Sequence, residues 1–157
     1  MKLRPLSAED AAELLRIHET PEVSRWWGRP ATGFPFEDPT ATRLVIEHDG
    51  TVAGMVQYFE EPDPDYRHAM IDVFLDPALH GRGLGTEALR KVVELLTREG
   101  GHHRLTIDPA ADNAAAIRAY EKVGFKPVGV LRQYERDHEG DGWHDCLLMD
   151  YLAGDSD

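Results

Sequence analysis

The sequence has one cysteine, Cys146, among its 157 residues. That excludes an internal disulfide and fits a chain kept in the reducing cytoplasm. No apolar run approaches the roughly 18 residues that span a bilayer. The opening "MKLRPLSAED" lacks the apolar stretch of a secretion signal. Positive charge is scarce, with 17 Lys and Arg against 29 Asp and Glu and a net charge of −12. This balance repels nucleic acid and anionic membrane surfaces, so neither is an expected partner. If charge selects a ligand, the ligand is a cation. Repeats, linkers and low-complexity tracts are also missing. What remains, at 41% hydrophobic residues, is one soluble domain over residues 1–157, large enough to bury a core.

Along the chain, "KLRPL" alternates as a short strand, and Ser7 caps a helix over "AEDAAELLRIHE" with Asp10 reinforcing the cap. Pro21 opens a second helix that Gly28 closes, and the following "RPATGFPFEDPTAT" reads as loop. "TRLVIEH" and "TVAGMVQYFE" form a hairpin about Asp49-Gly50, a dipeptide suited to a positive-φ turn. After the acidic loop "EEPDPDY" come the strand "RHAMIDVFLDP", a helix, the strand "HRLTIDP" and a helix that Gly124 ends. "KPVGVLRQYE" and "GWHDCLLMDYL" complete the chain as strands. The order β-α-α-β-β-β-α-β-α-β-β predicts an α/β domain with a mixed sheet.

"HGRGLGTEALRKVVELL", residues 80–96, places three glycines between a strand and a helix. That geometry aims backbone N–H groups at an anion. "GRGLGT" lacks the Gly-Lys-Ser/Thr ending of a nucleotide-triphosphate loop, and it is not a dinucleotide fingerprint. Further on, Asn113, Ala116 and Tyr120 fall at i, i+3 and i+7, on one face of a helix.

The series "IDVFLDPALHGRGLGTEAL", a strand, and then "NAAAIRAYEKVGF" resembles the GNAT superfamily of N-acetyltransferases along the whole chain. The resemblance implies a single-domain α/β fold: a mixed, mostly antiparallel sheet of about seven strands flanked by about four helices. It implies acetyl-CoA as cosubstrate. Its pyrophosphate would be held by backbone amides across Gly81, Arg82, Gly83, Leu84, Gly85 and Thr86, with the Thr86 hydroxyl added. His80 stands where this motif ordinarily opens with Arg or Gln. The strand ending at Phe74 and Leu75 would pair with the pantetheine and supply a backbone N–H to the developing oxyanion. Asn113 would tie a pantetheine amide, Ala116 would leave room, and Tyr120 would protonate the departing thiolate.

Several segments resemble one branch more closely, the aminoglycoside 6′-N-acetyltransferases: "VSRWWG", "GMVQYF", "MID" and "TIDPAADNAAAIRAYEKVGF". Matching positions make Trp26, Trp27, Tyr58 and Asp108 acceptor-side residues, and Asp145 is an acid near the chain end that a cationic amine can meet. Asp72, on the face that Phe74 shares, would prepare or position the amine; Asp108 would bind an ammonium. The acids Glu60, Glu61, Asp63, Asp65, Glu139 and Asp141 can add to cation capture or stand as solvated loops. The acceptor alternatives are a protein N-terminus, a lysine, a polyamine or a siderophore precursor, and a non-catalytic acetyl-CoA or drug-binding module is a further one. The eight histidines show no ligand spacing, so no metal is expected. Monomer and homodimer are both compatible with the sequence.

Overall fold

The computed structural model describes residues 1–156. Its strands are β1 (Lys2–Pro5), β2 (Thr42–His48), β3 (Thr51–Glu60), β4 (Ala69–Leu75), β5 (Arg104–Ile107), β6 (Lys126–Arg136) and β7 (Trp143–Leu152). Its helices are α1 (Ala11–His18), α2 (Pro21–Trp27), α3 (Leu84–Glu94) and α4 (Ala114–Val123). The sheet runs β1-β2-β3-β4-β5-β7-β6. Among the described residues every neighbouring pair is antiparallel except β4 with β5. This is the α/β architecture that the resemblance implies.

Local chemistry sets the boundaries. The Asp10 carboxylate accepts the Ser7 backbone N–H at 2.9 Å, and its bonds to Arg4 hold its pKa down to about 2. Asp49 and Gly50 turn the β2–β3 hairpin with φ of 51° and 76°, the left-handed pair that a two-residue turn demands. Gly124, at φ 117°, ends α4 by donating its N–H back to Tyr120 and Glu121 carbonyls. Helix α3 does not stop at a cap; it widens into a π turn over Leu95–Glu99.

Strand alternation gives the sheet two buried faces. On one, Ala88, Leu89 and Val92 of α3 cover Val56, Ile71 and Leu105. On the other, Leu14 and Ile17 of α1 and Val23 of α2 cover Val45, Met55 and Phe74. Consecutive residues such as Val56 and Met55 therefore serve opposite faces.

The feature that positions the site is a parting of strands. β4 and β5 are in register only at Ala69 with Leu105 and Met70 with Thr106. β4 continues to Leu75 while β5 ends at Ile107. Past Met70 the β5-side edge of β4 is thus open. Its other edge stays zipped to β3 from Glu60–Ala69 to Gly54–Leu75.

Gly54 makes the far end of that zipper possible. A Cβ there would overlap the Phe74 carbonyl oxygen and stand 2.9 Å from the Leu75 Cα. Both are backbone atoms, which cannot rotate away. Gly54→Ala is therefore expected to lower stability by about 1–3 kcal/mol through overpacking and to push Phe74 and Leu75 outward. Urea unfolding measures the first effect and CoA titration the second; an alanine variant with unchanged midpoint and CoA affinity would contradict it.

Candidate active site

Where β4 and β5 part, a cavity of about 320 Å³ opens, lined by Met70, Asp72, Thr106 and Asp108 with Phe59 in its wall. Burial pushes the Asp72 pKa up, while a hydrogen bond from Gln57 opposes the rise. Asp108 is pushed up to about 6, first by burial and then by the charges of Asp72 and Glu135. The Tyr134 hydroxyl bonds Asp108 and partly offsets this. Asp72 and Asp108 line the cavity and the partly exposed Glu135 acts on both from outside that lining, so the cleft is short of positive charge.

Asp72 is held from behind by a chain of polar groups. Gln57, cross-strand to it and 7% exposed, donates its amide to Asp72 Oδ2 at 3.2 Å. Arg43 donates to Gln57 Oε1 at 3.0 Å. Its guanidinium also bonds the Pro35 carbonyl at 2.8 Å and pairs with Glu37. Phe34 lies 5.2 Å from the same guanidinium. The loop after α2 is in this way wired to the carboxylate at the centre of the cleft.

Tyr120 reaches toward the same place from α4. Its ring packs with the α3-side core, 6.5 Å from Phe125. Burial, then the charges of Asp72 and Asp108, push its pKa well above the ordinary phenol value. It therefore stays protonated across the neutral range.

The glycine loop fits a pyrophosphate. Gly81 and Gly83 have φ of 81° and 76°, and a Cβ at Gly81, Gly83 or Gly85 would meet open space. The loop is a cradle with its floor exposed. The N–H groups of Leu84, Gly85 and Thr86 stand in the first turn of α3, where a helix has no internal partners for them. Beside this cradle, the open β4 edge ending at Phe74 and Leu75 can accept an extended amide-bearing chain as a further strand.

Other residues singled out from the sequence fall differently. His80 Nε2 sits 3.0 Å from the Leu75 carbonyl, so the ring pins the loop to β4. Arg82 is exposed. Asn113 caps α4 by accepting the Ala116 N–H at 3.3 Å, which leaves its amide donors for a ligand carbonyl. Trp27 lies edge-on to Phe74 at 5.0 Å within the α1–α2 core, and the Arg25 guanidinium covers Trp26 at 4.4 Å. Tyr58 packs with the α3-side core, on the face opposite Gln57 and Asp72; by strand parity the aromatic side chain in the cleft is Phe59. Asp145 is exposed and accepts the Gln133 N–H at 2.8 Å, so it holds β6 in shape. Glu139 lies 3.8 Å from Arg25 in a second hollow beside α2.

The residue that sequence reasoning missed is Glu135. The β6–β7 register slips between Leu131 and Glu135, and Gln133 takes φ 45° in that slip. The slip brings Glu135 opposite His144 and into electrostatic reach of Asp72 and Asp108. The slip spends four residues of β6 against two of β7, so it leaves the alternation of side chains unchanged and no pattern in the sequence marks it.

The family model described as Acetyltransferase (GNAT) family matches residues 3–125. The chain is 30% identical over 153 residues to an aminoglycoside N(6′)-acetyltransferase type 1 of Klebsiella pneumoniae, covering 82% of this chain and 75% of that one. It is 28% identical over 141 residues to the spermidine N(1)-acetyltransferase of Escherichia coli K12, covering 83% and 75%. The fold of the spermidine N-acetyltransferase of Vibrio cholerae, solved with CoA and spermine, superposes with a TM-score of 0.83 at 19% identity, over 98% of this chain and 95% of that one.

The Asp108 pKa gives a test of the cleft's electrostatics. Its folded value of about 6 lies above the ordinary 3.8, so the folded chain holds the proton more tightly. Stability from this group is present below about pH 4 and lost as pH rises to about 6. Asp108→Asn is expected to stabilise the unliganded protein at pH 8 by on the order of 1 kcal/mol, allowing for partial exposure. The gain should shrink toward zero near pH 4. Urea unfolding at the two pH values checks this; an equal effect at both would refute it.

Proposed function

The chain belongs to the acetyltransferase (GNAT) family, and from that premise we propose that it moves acetyl from acetyl-CoA to the 6′-amine of an aminoglycoside by direct attack. The observation that carries the reading is the cleft at the β4–β5 parting, where Asp72, Asp108 and Glu135 influence one another beside a protonated Tyr120. A polycationic amine relieves the mutual repulsion of these acids, so binding and charge neutralisation coincide. The aminoglycoside-modifying relative supports the acceptor, and the spermidine-modifying relative supports a second reading, a linear polyamine.

When bound, acetyl-CoA supplies a thioester whose carbonyl the amine nitrogen attacks. The residues divide the remaining work. Asp108 and Glu135 hold ammonium groups as anions. Asp72 orients the reacting amine, and its raised pKa brings it nearer to that of a group able to take the amine's proton, directly or through water. Gln57 fixes the carboxylate's rotamer. Tyr120, kept protonated by its surroundings, delivers a proton to the leaving sulfur. The exposed amides of the glycine loop carry the pyrophosphate.

Tyr120→Phe is expected to retain CoA affinity while the single-turnover rate falls roughly 10²–10⁴-fold, the usual worth of a general acid. An unchanged rate would remove Tyr120 from this role.

The acceptor is tested by thiol release with a 6′-amino aminoglycoside, its 6′-hydroxy counterpart and spermidine, followed by NMR assignment of the product. The amino drug should turn over with acetyl on the 6′-nitrogen. The hydroxy counterpart should bind competitively yet react on the order of 100-fold more slowly or worse, because its remaining amines are misplaced. Acetyl on another nitrogen, equal rates for the pair, or preference for spermidine would reassign the acceptor and leave acetyl transfer in place.

A further inference from the structure

One cluster outside the cavity's lining, within electrostatic reach of Asp108, has a donor set that acetyl transfer does not require. Glu135, His144 and Cys146 offer a carboxylate oxygen, an imidazole nitrogen and a thiol sulfur that all lie within 4.8 Å of one another. His144 and Cys146 are two apart on β7 and so share a face, and Glu135 stands opposite His144 on β6. His144 Nε2 is 2.9 Å from Glu135 Oε1. The Cys146 sulfur is at the buried floor, while the His144 and Glu135 side chains are 22% and 43% exposed, which leaves a way in from solvent. The arrangement depends on the slip in β6, where non-glycine Gln133 sits at φ 45° and is fixed by Asp145. Such left-handed backbone costs energy and recurs at functional positions.

From this geometry we propose that Glu135, His144 and Cys146 bind a divalent cation of the zinc class, and that its occupation opposes amine binding in the acceptor cleft. Sulfur, nitrogen and carboxylate oxygen together are the donors that zinc prefers. Bond lengths of about 2.0–2.3 Å in tetrahedral array place ligand atoms about 3.3–3.8 Å apart. The three donors, within 4.8 Å of one another, have to draw in to that spacing, with the fourth position left to water. As the metal–sulfur bond forms, the thiol proton leaves to solvent. Because Glu135 belongs to the acid set around Asp72 and Asp108, a dication there neutralises the field that captures an amine. The metal and the amine then weaken each other's binding. This second half rests on the amine-binding reading of the cleft.

The test uses the untagged protein and Co²⁺ as a spectroscopic stand-in for Zn²⁺. Without amine or acetyl-CoA, Co²⁺ should bind one to one and give a thiolate-to-cobalt charge-transfer band. Cys146→Ser should abolish the band, and Zn²⁺ should displace the cobalt. His144→Gln, which leaves the buried cysteine in place, should weaken binding by at least about 10-fold. Spermidine and an aminoglycoside should each weaken Co²⁺ binding in proportion to their own affinity. Absence of one-to-one binding, or a band that survives Cys146→Ser, overturns the site. Cobalt binding indifferent to saturating amine overturns the antagonism. The metal arm contains no acetyl donor, so its failure is distinct from failure of acetyl transfer.

Discussion

The molecule depends on one shortfall of hydrogen bonding: β4 and β5 stay paired for two residues and then separate. Closing the gap would satisfy more backbone groups but would erase the cavity, bury the β4 edge and shut Tyr120 behind the sheet. Residues of α3 clamp Ile71 and Leu105 together at the root of the gap. Phe74, beyond it, is drawn into the α1–α2 core. The two cores thus hold alternate residues of β4 from opposite layers, Ile71 and Leu75 from one and Phe74 from the other, while its edge past Met70 stays unpaired with β5.

Within the gap, desolvation and like charge act in the same direction. Burial is the leading cause of the upward shifts at Asp72, Asp108 and Tyr120, and mutual repulsion of the acids adds to it. Hydrogen bonding from Gln57 and Tyr134 offsets this only in part. Ionisation of these groups is thus penalised, and the Tyr120 phenol is kept protonated beside the acids.

Much of this was legible in the sequence. The elements come in the expected order because turns and caps are local: Asp49-Gly50, Pro21, Gly28 and Gly124 each act through their own backbone. The glycine loop was readable for the same reason, and Asp72 and Tyr120 arrive in one place because their blocks are spaced by the fold they share. What was illegible is non-local. Glu135 needs a register slip that no alternation pattern encodes. Phe59 rather than Tyr58 lines the cleft, a matter of which face of β3 looks toward α1. His80 and Asp145 turn out to brace backbone, since a polar side chain with a carbonyl or N–H nearby satisfies it before any ligand arrives.

The chain of contacts from Glu37 and Pro35 through Arg43 and Gln57 to Asp72 joins an irregular loop, the most variable kind of segment, to the carboxylate at the centre of the cleft. Descent with modification usually alters what an enzyme accepts by rewriting loops while chemistry stays untouched. Here the two are not separable modules. A lineage that reshaped residues 31–41 for a new acceptor would at the same stroke loosen Arg43, and with it the orientation and charge state of Asp72. If Asp72 serves the proposed acetyl transfer, new specificity in this scaffold would have to be acquired in paired steps, loop and strand together, because a change in one disturbs the other.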